Sequence, residues 1–183
     1  MKNYFVPDYM FGSFAEVTPD FLQSIGVCAL LIDIDNTLAP YEQPDPDERI
    51  LAWFAELEKN GIQAALVSNN HEPRVERFNK PLFERFGVFA YPNSRKPFAG
   101  TLECAMEAME VTPSETAMLG DQILTDCFAG KHIGLRAIIV PPIKDKTNLF
   151  FRFKRLLERP AIRKYAKQKG YQPWMQFWKV KEK

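Results

Sequence analysis

The chain has 183 residues, of which 46% are hydrophobic and 26% charged, a composition typical of one globular domain with a sizeable core. Its 24 Lys and Arg nearly balance its 23 Asp and Glu, which excludes a generally basic nucleic-acid-binding protein and a charge-driven disordered chain. No apolar run approaches the roughly 18 residues of a membrane-spanning helix, and the first residues lack the features of a secretory signal. The three cysteines lack CxxC spacing, so we expect neither a disulfide framework nor a structural zinc site. Together these features predict a soluble, cytoplasmic protein.

The predicted elements alternate between strands and helices. After an aromatic leader, Thr18 and Pro19 predict the start of a short helix, because a threonine N-cap and a proline at the first helical position both favour helix initiation. Apolar runs predict five strands, at residues 27–34, 62–67, 88–90, 116–119 and 135–140. Four further helices are predicted: one that begins in a capping box at 45–48, one over 72–86 with a kink near Pro81, one that contains Phe98, Leu102, Ala105 and Met109, and one over 122–131.

This alternation predicts the fold class. Strands joined by helices of 10–15 residues form βαβ crossovers, so we expect an α/β, Rossmann-like three-layer fold with a mainly parallel five-stranded sheet. Ligands of such sheets bind at the carboxyl ends of the strands. Asp33 ends the first predicted strand, Ser68 ends the second, and Asp121 follows the fourth by two residues. These polar side chains are therefore expected to meet at one edge of the sheet.

Two carboxylates lie close together at the end of the first predicted strand, in the run LLIDIDNTL. The two-residue period of a strand puts Asp33 and Asp35 on the same side. Burying two acids in such apolar surroundings costs several kcal/mol unless a cation or an array of donors compensates them. The pair by itself is also consistent with a helix cap or a turn after the strand.

Four segments resemble, in order, the motifs of the haloacid dehalogenase (HAD) superfamily of phosphotransferases. The run DIDNTL resembles the first motif. Ser68 in VSNN resembles the hydroxyl motif after the second strand, and Lys96 in SRKP resembles the lysine motif. The run GDQILTD, which contains Asp121 and Asp126, resembles the acidic motif of one HAD subclass. Because the four motifs occur in order at predicted strand ends, the chain is identified as a member of this superfamily.

The resemblance implies a Mg²⁺-dependent mechanism through an aspartyl-phosphate. A phosphate monoester carries about two negative charges near neutral pH and repels an anionic nucleophile, and a divalent cation with hard oxygen ligands lowers that repulsion. In this scheme Asp33 is the nucleophile, and Asp35 protonates the leaving oxygen and then deprotonates the hydrolytic water. The implied metal ligands are Asp33, the carbonyl of Asp35 and Asp121, with Asp126 as a direct or a water-mediated ligand. The implied phosphate-binding groups are Ser68, the backbone N–H of Asn69, and Lys96.

The same residues are consistent with purely structural roles. A lysine before a proline is often a solvated loop residue, which is the alternative for Lys96. Ser68 and Asn69 are also compatible with a helix N-cap region. Asp121 and Asp126 are compatible with the first turn of the next helix, where the helix dipole favours acids.

No room remains for the cap domain that selects substrates in many HAD enzymes. A short segment separates Leu38 from the helix predicted at 45, and a predicted helix and strand occupy the 27 residues between Ser68 and Lys96. An open site suits a bulky or surface-bound phosphate ester better than a small metabolite that must be enclosed.

Charge is unevenly distributed along the chain. Residues 144–183 hold 13 basic and 3 acidic residues, whereas residues 1–143 hold 11 and 20. We therefore predict a HAD-like hydrolase domain over 1–143, with 1–26 as its leader and first helix, and a basic, aromatic, helical tail over 144–183.

The tail favours an anionic membrane interface. It is also consistent with aromatic residues that dock on the domain beside solvated lysines, or with base stacking on a nucleic acid. Its aromatic and basic residues include Phe150, Phe151, Phe153, Trp174, Phe177, Trp178, Lys181 and Lys183.

Within the superfamily, residues 5–142 resemble the YqeG and phosphatidylglycerophosphate phosphatase branch of subclass IIIA. The resemblance implies removal of phosphate from phosphatidylglycerophosphate by a cytoplasmic protein at the inner face of the membrane. Two alternatives stay open: a phosphatase of a soluble or protein-borne phosphate ester, and a non-catalytic scaffold with the HAD fold that binds membrane or RNA.

Overall fold

A computed structural model describes residues 3–144 and 149–180, the side chains of residues 149–152 excepted. Within this part of the chain six strands form one sheet in the order β1-β6-β5-β2-β3-β4, and every neighbouring pair is parallel. The strands are β1 (Tyr9–Met10), β2 (Ala29–Ile32), β3 (Gln63–Val67), β4 (Phe89–Tyr91), β5 (Thr116–Gly120) and β6 (Arg136–Ile139). The predicted α/β class and parallel sheet are therefore confirmed.

The prediction of five strands is wrong, because the leader supplies a sixth. In β1, Tyr9 pairs with Ile138 and Met10 with Ile139 at the edge of the sheet. Hydrogen bonds from Asp8 N to Ala137 O and from Phe11 N to Ile139 O extend this pairing. A strand of two residues has no alternation of apolar and polar residues to detect, so its pairing with β6 depends on a contact between distant parts of the chain.

Among the described residues, six α-helices connect or flank the strands: α1 (Pro19–Ser24), α2 (Glu48–Lys59), α3 (Glu72–Phe86), α4 (Gly100–Ala108), α5 (Phe128–His132) and α6 (Leu149–Lys169). Shorter helical turns occur at Phe14–Glu16, Pro113–Glu115, Ile123–Cys127 and Pro173–Trp178. The predicted Thr18 cap of α1 is confirmed, since its side chain accepts a hydrogen bond from Phe21 N. Helix α3 is continuous through Pro81.

Three predicted helix boundaries need correction. The N-cap of α2 is Asp47, which accepts a hydrogen bond from Ile50 N, whereas Asp45 at the start of the predicted capping box pairs with Arg77. Phe98 precedes α4 and is 75% exposed. The helix predicted over 122–131 is a π-helical turn, Ile123–Cys127, followed by α5.

The middle strands β2 and β5 are buried on both faces, which gives a three-layer core. On one face, side chains of β2 and β3 such as Ile32 and Leu66 pack with Phe54 and Phe78 of α2 and α3. The opposite face packs α4 and α5 against the middle strands, and a further cluster covers β6. This packing positions the carboxyl ends of β2, β3 and β5 side by side.

The C-terminal segment belongs to the hydrophobic cluster that covers β6. Ile162 and Trp178 are buried in a cluster with Met10 of β1 and Ile139 of β6. The hydroxyl of Tyr165 also accepts a hydrogen bond from Met10 N at 3.0 Å. The alternative in which tail aromatics dock on the domain therefore applies to Trp178. The side chains of Phe150 and Phe151, and all of Lys181 and Lys183, lie outside the described residues.

None of the described helices combines the length and the apolar content that crossing a bilayer requires.

Candidate active site

The loop after β2 presents the two carboxylates of the first motif. Asn36 adopts a left-handed conformation with φ of 67°, and its N–H donates to Ala39 O at 2.7 Å, so the chain turns back within a few residues. Asp33 and Asp35 are both buried. The hydroxyl of Thr37 donates to Asp33 Oδ2 at 3.2 Å, so the threonine of DIDNTL orients the first carboxylate.

Lys96 lies at the centre of the site and not on a solvated loop. Its Nζ is 2.7 Å from Asp33 Oδ1, 2.8 Å from Asp126 Oδ1 and 2.7 Å from the carbonyl oxygen of Val67. Burial lowers the pKa of Lys96, but the Asp126 and Asp33 carboxylates outweigh burial and raise it above its usual value. The lysine is therefore a fixed cation at this edge of the sheet.

Burial raises the pKa of the candidate nucleophile Asp33, whereas burial alone lowers the pKa of Lys96. Desolvation raises the pKa of Asp33 to about 8, Lys96 acts against this rise, and the nearby Asp126 and Asp121 carboxylates add to it. A cation beside Asp33 would favour its charged form, since an opposite charge within a few ångströms stabilises a carboxylate.

The side chain of Asn69 holds the lysine loop in place. Asn69 Oδ1 accepts hydrogen bonds from Lys96 N at 2.7 Å and from Ser94 Oγ at 2.8 Å, and Asn69 Nδ2 donates to Lys96 O at 2.9 Å. Ser68 is buried beside it and its Oγ accepts from Asn70 N. The run VSNN thus connects β3 to the segment that carries Lys96.

The acidic motif completes a group of three carboxylates. Single oxygen atoms of Asp33, Asp121 and Asp126 lie within 4.8 Å of one another, and all three residues are buried. Asp121 Oδ1 has no hydrogen-bond partner among the described residues. Burial raises the pKa of Asp121 to about 6, Arg155 opposes this rise and Asp126 adds to it. An all-oxygen set with an unpartnered buried oxygen fits a hard divalent cation.

Gly120 is required by the close approach of Asp126. A Cβ at position 120 would lie 2.4 Å from Asp126 Cγ. Asp126 Oδ2 also accepts a hydrogen bond from Gln122 N at 3.1 Å, which bends the acidic motif around its second carboxylate. The glycine of GDQILTD therefore makes room for the carboxylate that contacts Lys96.

Asp35 has different surroundings from Asp33. Its Oδ2 accepts from Asn70 Nδ2 at 3.0 Å, and its Oδ1 pairs with Arg74 at 3.2 Å. Its carboxylate is not one of the three grouped acids among the described residues. The implied ligand at Asp35 was its backbone carbonyl, and that assignment stays a prediction.

These groups line an open cleft of about 230 Å³ at the carboxyl edge of the sheet. In the described part of the chain no separate domain covers this cleft, as the short segments after Leu38 and Ser68 predicted. The lining residues are Asp33, Asp35, Tyr41, Ser68, Asn69, Asn70, Lys96, Gln122, Thr125 and Asp126. All predicted site residues except Asp121, which is buried beside the cleft, therefore line one cavity.

Sequence reasoning missed four polar partners of the site: Asn70, Arg74, Gln122 and Arg155. Asn70 lies before α3 and Arg74 lies in its first turn, so no single periodic pattern in the sequence pointed to both. Arg155 has Glu158 three residues later, and Glu158 is the single acid within Leu149–Lys169. A lone acid in a basic helix could have indicated a buried pair.

Comparison with known proteins agrees with this geometry. A family model described as HAD-hydrolase-like matches residues 93–142. The probable phosphatase YqeG of Bacillus subtilis is 33% identical over 174 residues, which cover 95% of this chain and 98% of YqeG. The chain belongs to the YqeG family of HAD-like phosphatases. Both the predicted superfamily and the predicted phosphatase activity are confirmed.

Solved structures share the fold of this HAD-like phosphatase. CbbY from Rhodobacter sphaeroides, in complex with phosphate, matches with a TM-score of 0.52 at 17% identity, covering 68% of this chain and 90% of CbbY. A putative 3-deoxy-D-manno-octulosonate 8-phosphate phosphatase from Vibrio cholerae matches with a TM-score of 0.52 at 15% identity, covering 67% of this chain and 72% of that protein.

Proposed function

We propose that this protein hydrolyses phosphatidylglycerophosphate to phosphatidylglycerol through an aspartyl-phosphate on Asp33, with Mg²⁺ as cofactor. The observation that carries the chemistry is the convergence of Asp33, Asp35, Ser68 and Lys96 on one open cleft, with Asp121 buried beside it.

In the first step an oxygen of Asp33 attacks phosphorus, and the bond from phosphorus to the ester oxygen breaks. Asp35 gives its proton to that leaving oxygen. In the second step water attacks the phosphorus of the aspartyl-phosphate, Asp35 takes a proton from the water, and phosphate leaves as the Asp33 carboxylate is restored. Asn70 and Arg74 contact the Asp35 carboxylate and fix its orientation.

The remaining groups stabilise negative charge on the transferred phosphoryl group. The Lys96 ammonium, the Ser68 hydroxyl and the Asn69 backbone N–H would bind its oxygens. Asp33, the Asp35 carbonyl, Asp121 and Asp126 would hold Mg²⁺, which when bound neutralises charge between the carboxylates and the phosphate. The unpartnered Asp121 Oδ1 supports a cation there.

The open cleft and the outward side of α6 support a lipid substrate. Seven exposed residues follow helical spacing along one side of α6, which we call the outer face: Phe153, Leu156, Leu157, Pro160, Arg163, Lys164 and Lys167. Its first turns are apolar, with Phe153, Leu156 and Leu157 between 49% and 57% exposed, and its later turns are basic. Exposed apolar side chains can enter a bilayer interface while neighbouring basic side chains contact anionic head groups, and each basic residue contributes about 1 kcal/mol of binding free energy. The outer face therefore fits an anionic bilayer surface.

The start of α6 contacts a residue that lines the cleft. Lys154, next to Phe153 in α6, donates to the side chain of Gln122, which lines the cleft. Membrane contact through the outer face would therefore bring head groups near Asp33.

Phosphate release tests the reaction and the substrate class together. Wild type and Asp33→Asn are assayed with and without Mg²⁺ on phosphatidylglycerophosphate in vesicles, sugar phosphates, nucleotides and phosphopeptides. We expect turnover to require Mg²⁺, to be fastest on the vesicle substrate and to fall by at least about 10³-fold in Asp33→Asn, because the amide is not a nucleophile. Faster turnover of a soluble ester or a phosphopeptide would replace the lipid proposal. Full activity of Asp33→Asn would contradict Asp33 as the nucleophile, and a wild type that releases phosphate from none of these esters would favour a scaffold.

Membrane contact is tested separately by sedimentation with substrate-free vesicles. We expect wild type to bind phosphatidylglycerol vesicles more strongly than phosphatidylcholine vesicles, and Leu156→Ser/Leu157→Ser and Arg163→Glu/Lys164→Glu to weaken binding. Phe83→Ser is the matched control, since Phe83 is similarly exposed at the far end of α3. Equal binding by wild type and both double variants would contradict contact through the outer face.

A further inference from the structure

The buried side of α6 reaches the candidate metal site. Arg155 is 7% exposed and contacts Asp121 twice: its NH1 donates to the carbonyl oxygen at 3.1 Å and its NH2 to Oδ2 at 2.7 Å. A guanidinium that holds the backbone and the side chain of the same residue restricts the rotation of that carboxylate.

Glu158 holds this arginine in turn. Its Oε2 accepts from Arg155 NH1 at 2.8 Å and from Trp178 Nε1 at 3.1 Å, while its Oε1 accepts from Ile123 N at 2.9 Å. The Arg155 guanidinium also lies over the ring of Phe177, 5.5 Å from its centroid. We call Arg155, Glu158 and Trp178 the α6 clamp. It connects α6 and the C-terminal turn to both ends of the segment from Asp121 to Ile123.

We infer that Arg155 is a positioning residue for metal binding: by occupying Oδ2 and the carbonyl of Asp121, it turns Oδ1 toward the ion. Two observations carry this inference. Oδ1 is buried and without a hydrogen-bond partner among the described residues, and the grouped oxygens of Asp33 and Asp126 lie within 4.8 Å of an Asp121 oxygen. The inference rests on the metal site of the proposed function and adds the C-terminal helix to that site.

This arrangement separates two roles of the basic helix. The outer face of α6 points to solvent, whereas the α6 clamp contacts the carboxylate group from the buried side. The α6 clamp therefore acts on the metal site whether the substrate in the cleft is a lipid or a soluble ester. Truncating the helix would remove both roles and part of the core, so point variants are needed to separate them.

The test is calorimetric titration of the full-length protein with Mg²⁺ and Mn²⁺ alone, without substrate. Arg155→Met keeps much of the packing volume and removes both contacts to Asp121. We expect it to weaken metal affinity by about tenfold or more, as is typical when the hydrogen-bond partner of a metal ligand is lost. Arg155→Lys keeps the charge but cannot form the same pair of contacts, so its metal affinity should lie between those of wild type and Arg155→Met. It replaces Arg155→Met as the test variant if Arg155→Met does not fold.

Tyr165→Phe is the matched control, because it removes the hydrogen bond between α6 and Met10 without touching Asp121. Thermal melts of each apo variant show how much the docking of α6 has weakened. Loss of affinity in the Arg155 variants with normal affinity in Tyr165→Phe supports the inference. Wild-type affinity in the Arg155 variants, or an equal loss in Tyr165→Phe, overturns it while leaving the metal site intact. A wild-type protein that binds neither ion overturns the metal site and this inference together.

Discussion

Two buried polar clusters of this HAD-like phosphatase differ in how far the sequence reveals them. The first joins Asp33, Lys96 and Asp126, whose residues stand in motifs at strand ends. The second is the α6 clamp, whose residues stand in a basic helix and a C-terminal turn without a motif. Both clusters contain a buried cation between acids. In both, that cation contacts an aspartate of the segment that follows β5. The difference teaches that family motifs mark residues that gather at the cleft, whereas the residues that hold them in place can lie in segments without a motif.

The largest effect is expected from removing the cation of the first cluster. Lys96→Met leaves Asp33 and Asp126 buried without their cation, and breaking a buried pair costs about 3–5 kcal/mol of unfolding free energy. Urea denaturation of the metal-free protein measures this loss, and phosphate release should be abolished.

Arg77→Met serves as the comparison for a solvent-exposed pair. Arg77 contacts Asp45 bidentately, but both side chains are more than half exposed, so we expect no clear change in stability or activity. A Lys96→Met protein as stable as Arg77→Met would contradict the assignment of Lys96 as a buried, paired cation.

A smaller effect is expected from a methyl group at Gly120. Gly120→Ala would place Cβ 2.4 Å from Asp126 Cγ, so Asp126 must move away from Lys96 and from the other two carboxylates. We expect phosphate release to fall by about tenfold or more, because small displacements at an active site have large effects on rate.

The control for this substitution is Gly100→Ala at the start of α4, where a Cβ meets nothing within 4 Å. Its activity and melting temperature should match those of wild type. An active Gly120→Ala enzyme would show that the position of Asp126 tolerates displacement.

The third effect, a loss of stability, is expected in the α6 clamp. Glu158→Gln keeps one acceptor oxygen, but its amide NH₂ cannot accept hydrogen bonds, so Arg155, Ile123 N and Trp178 Nε1 can no longer all be satisfied. We expect a loss of about 1–3 kcal/mol in unfolding free energy, measured by urea denaturation, because a buried donor is left unpaired. Stability equal to that of wild type would show that the clamp contributes little to the docking of α6.

Asp33 and Ser68 could be predicted as site residues because each follows an apolar strand within a family motif, and Lys96 because it stands in the lysine motif before α4. Asp33, Ser68 and Lys96 were predicted in this way, and all three line the cleft. The partners of Asp35 could not be predicted, since Asn70 and Arg74 reach it from the end of β3 and the start of α3.

Local patterns were also insufficient where long-range contacts decide a boundary. Strand β1 exists through its pairing with β6, and Asp47 rather than Asp45 caps α2 while Asp45 contacts Arg77 in α3. Phe98 has helical spacing with Leu102 but lies before α4 and is exposed. In each case a tertiary contact or a turn competes with a pattern confined to a few neighbouring residues.

The sequence by itself determined the α/β class, the order of the motifs and the edge of the sheet at which their side chains meet, because strand period and burial act over short stretches of chain. The tertiary structure alone decided which oxygen of Asp121 is held, which groups surround Lys96, and that a basic C-terminal helix contacts the site. These outcomes depend on distances between residues far apart in the chain, such as the 34 positions from Asp121 to Arg155, and no local pattern encodes such a distance.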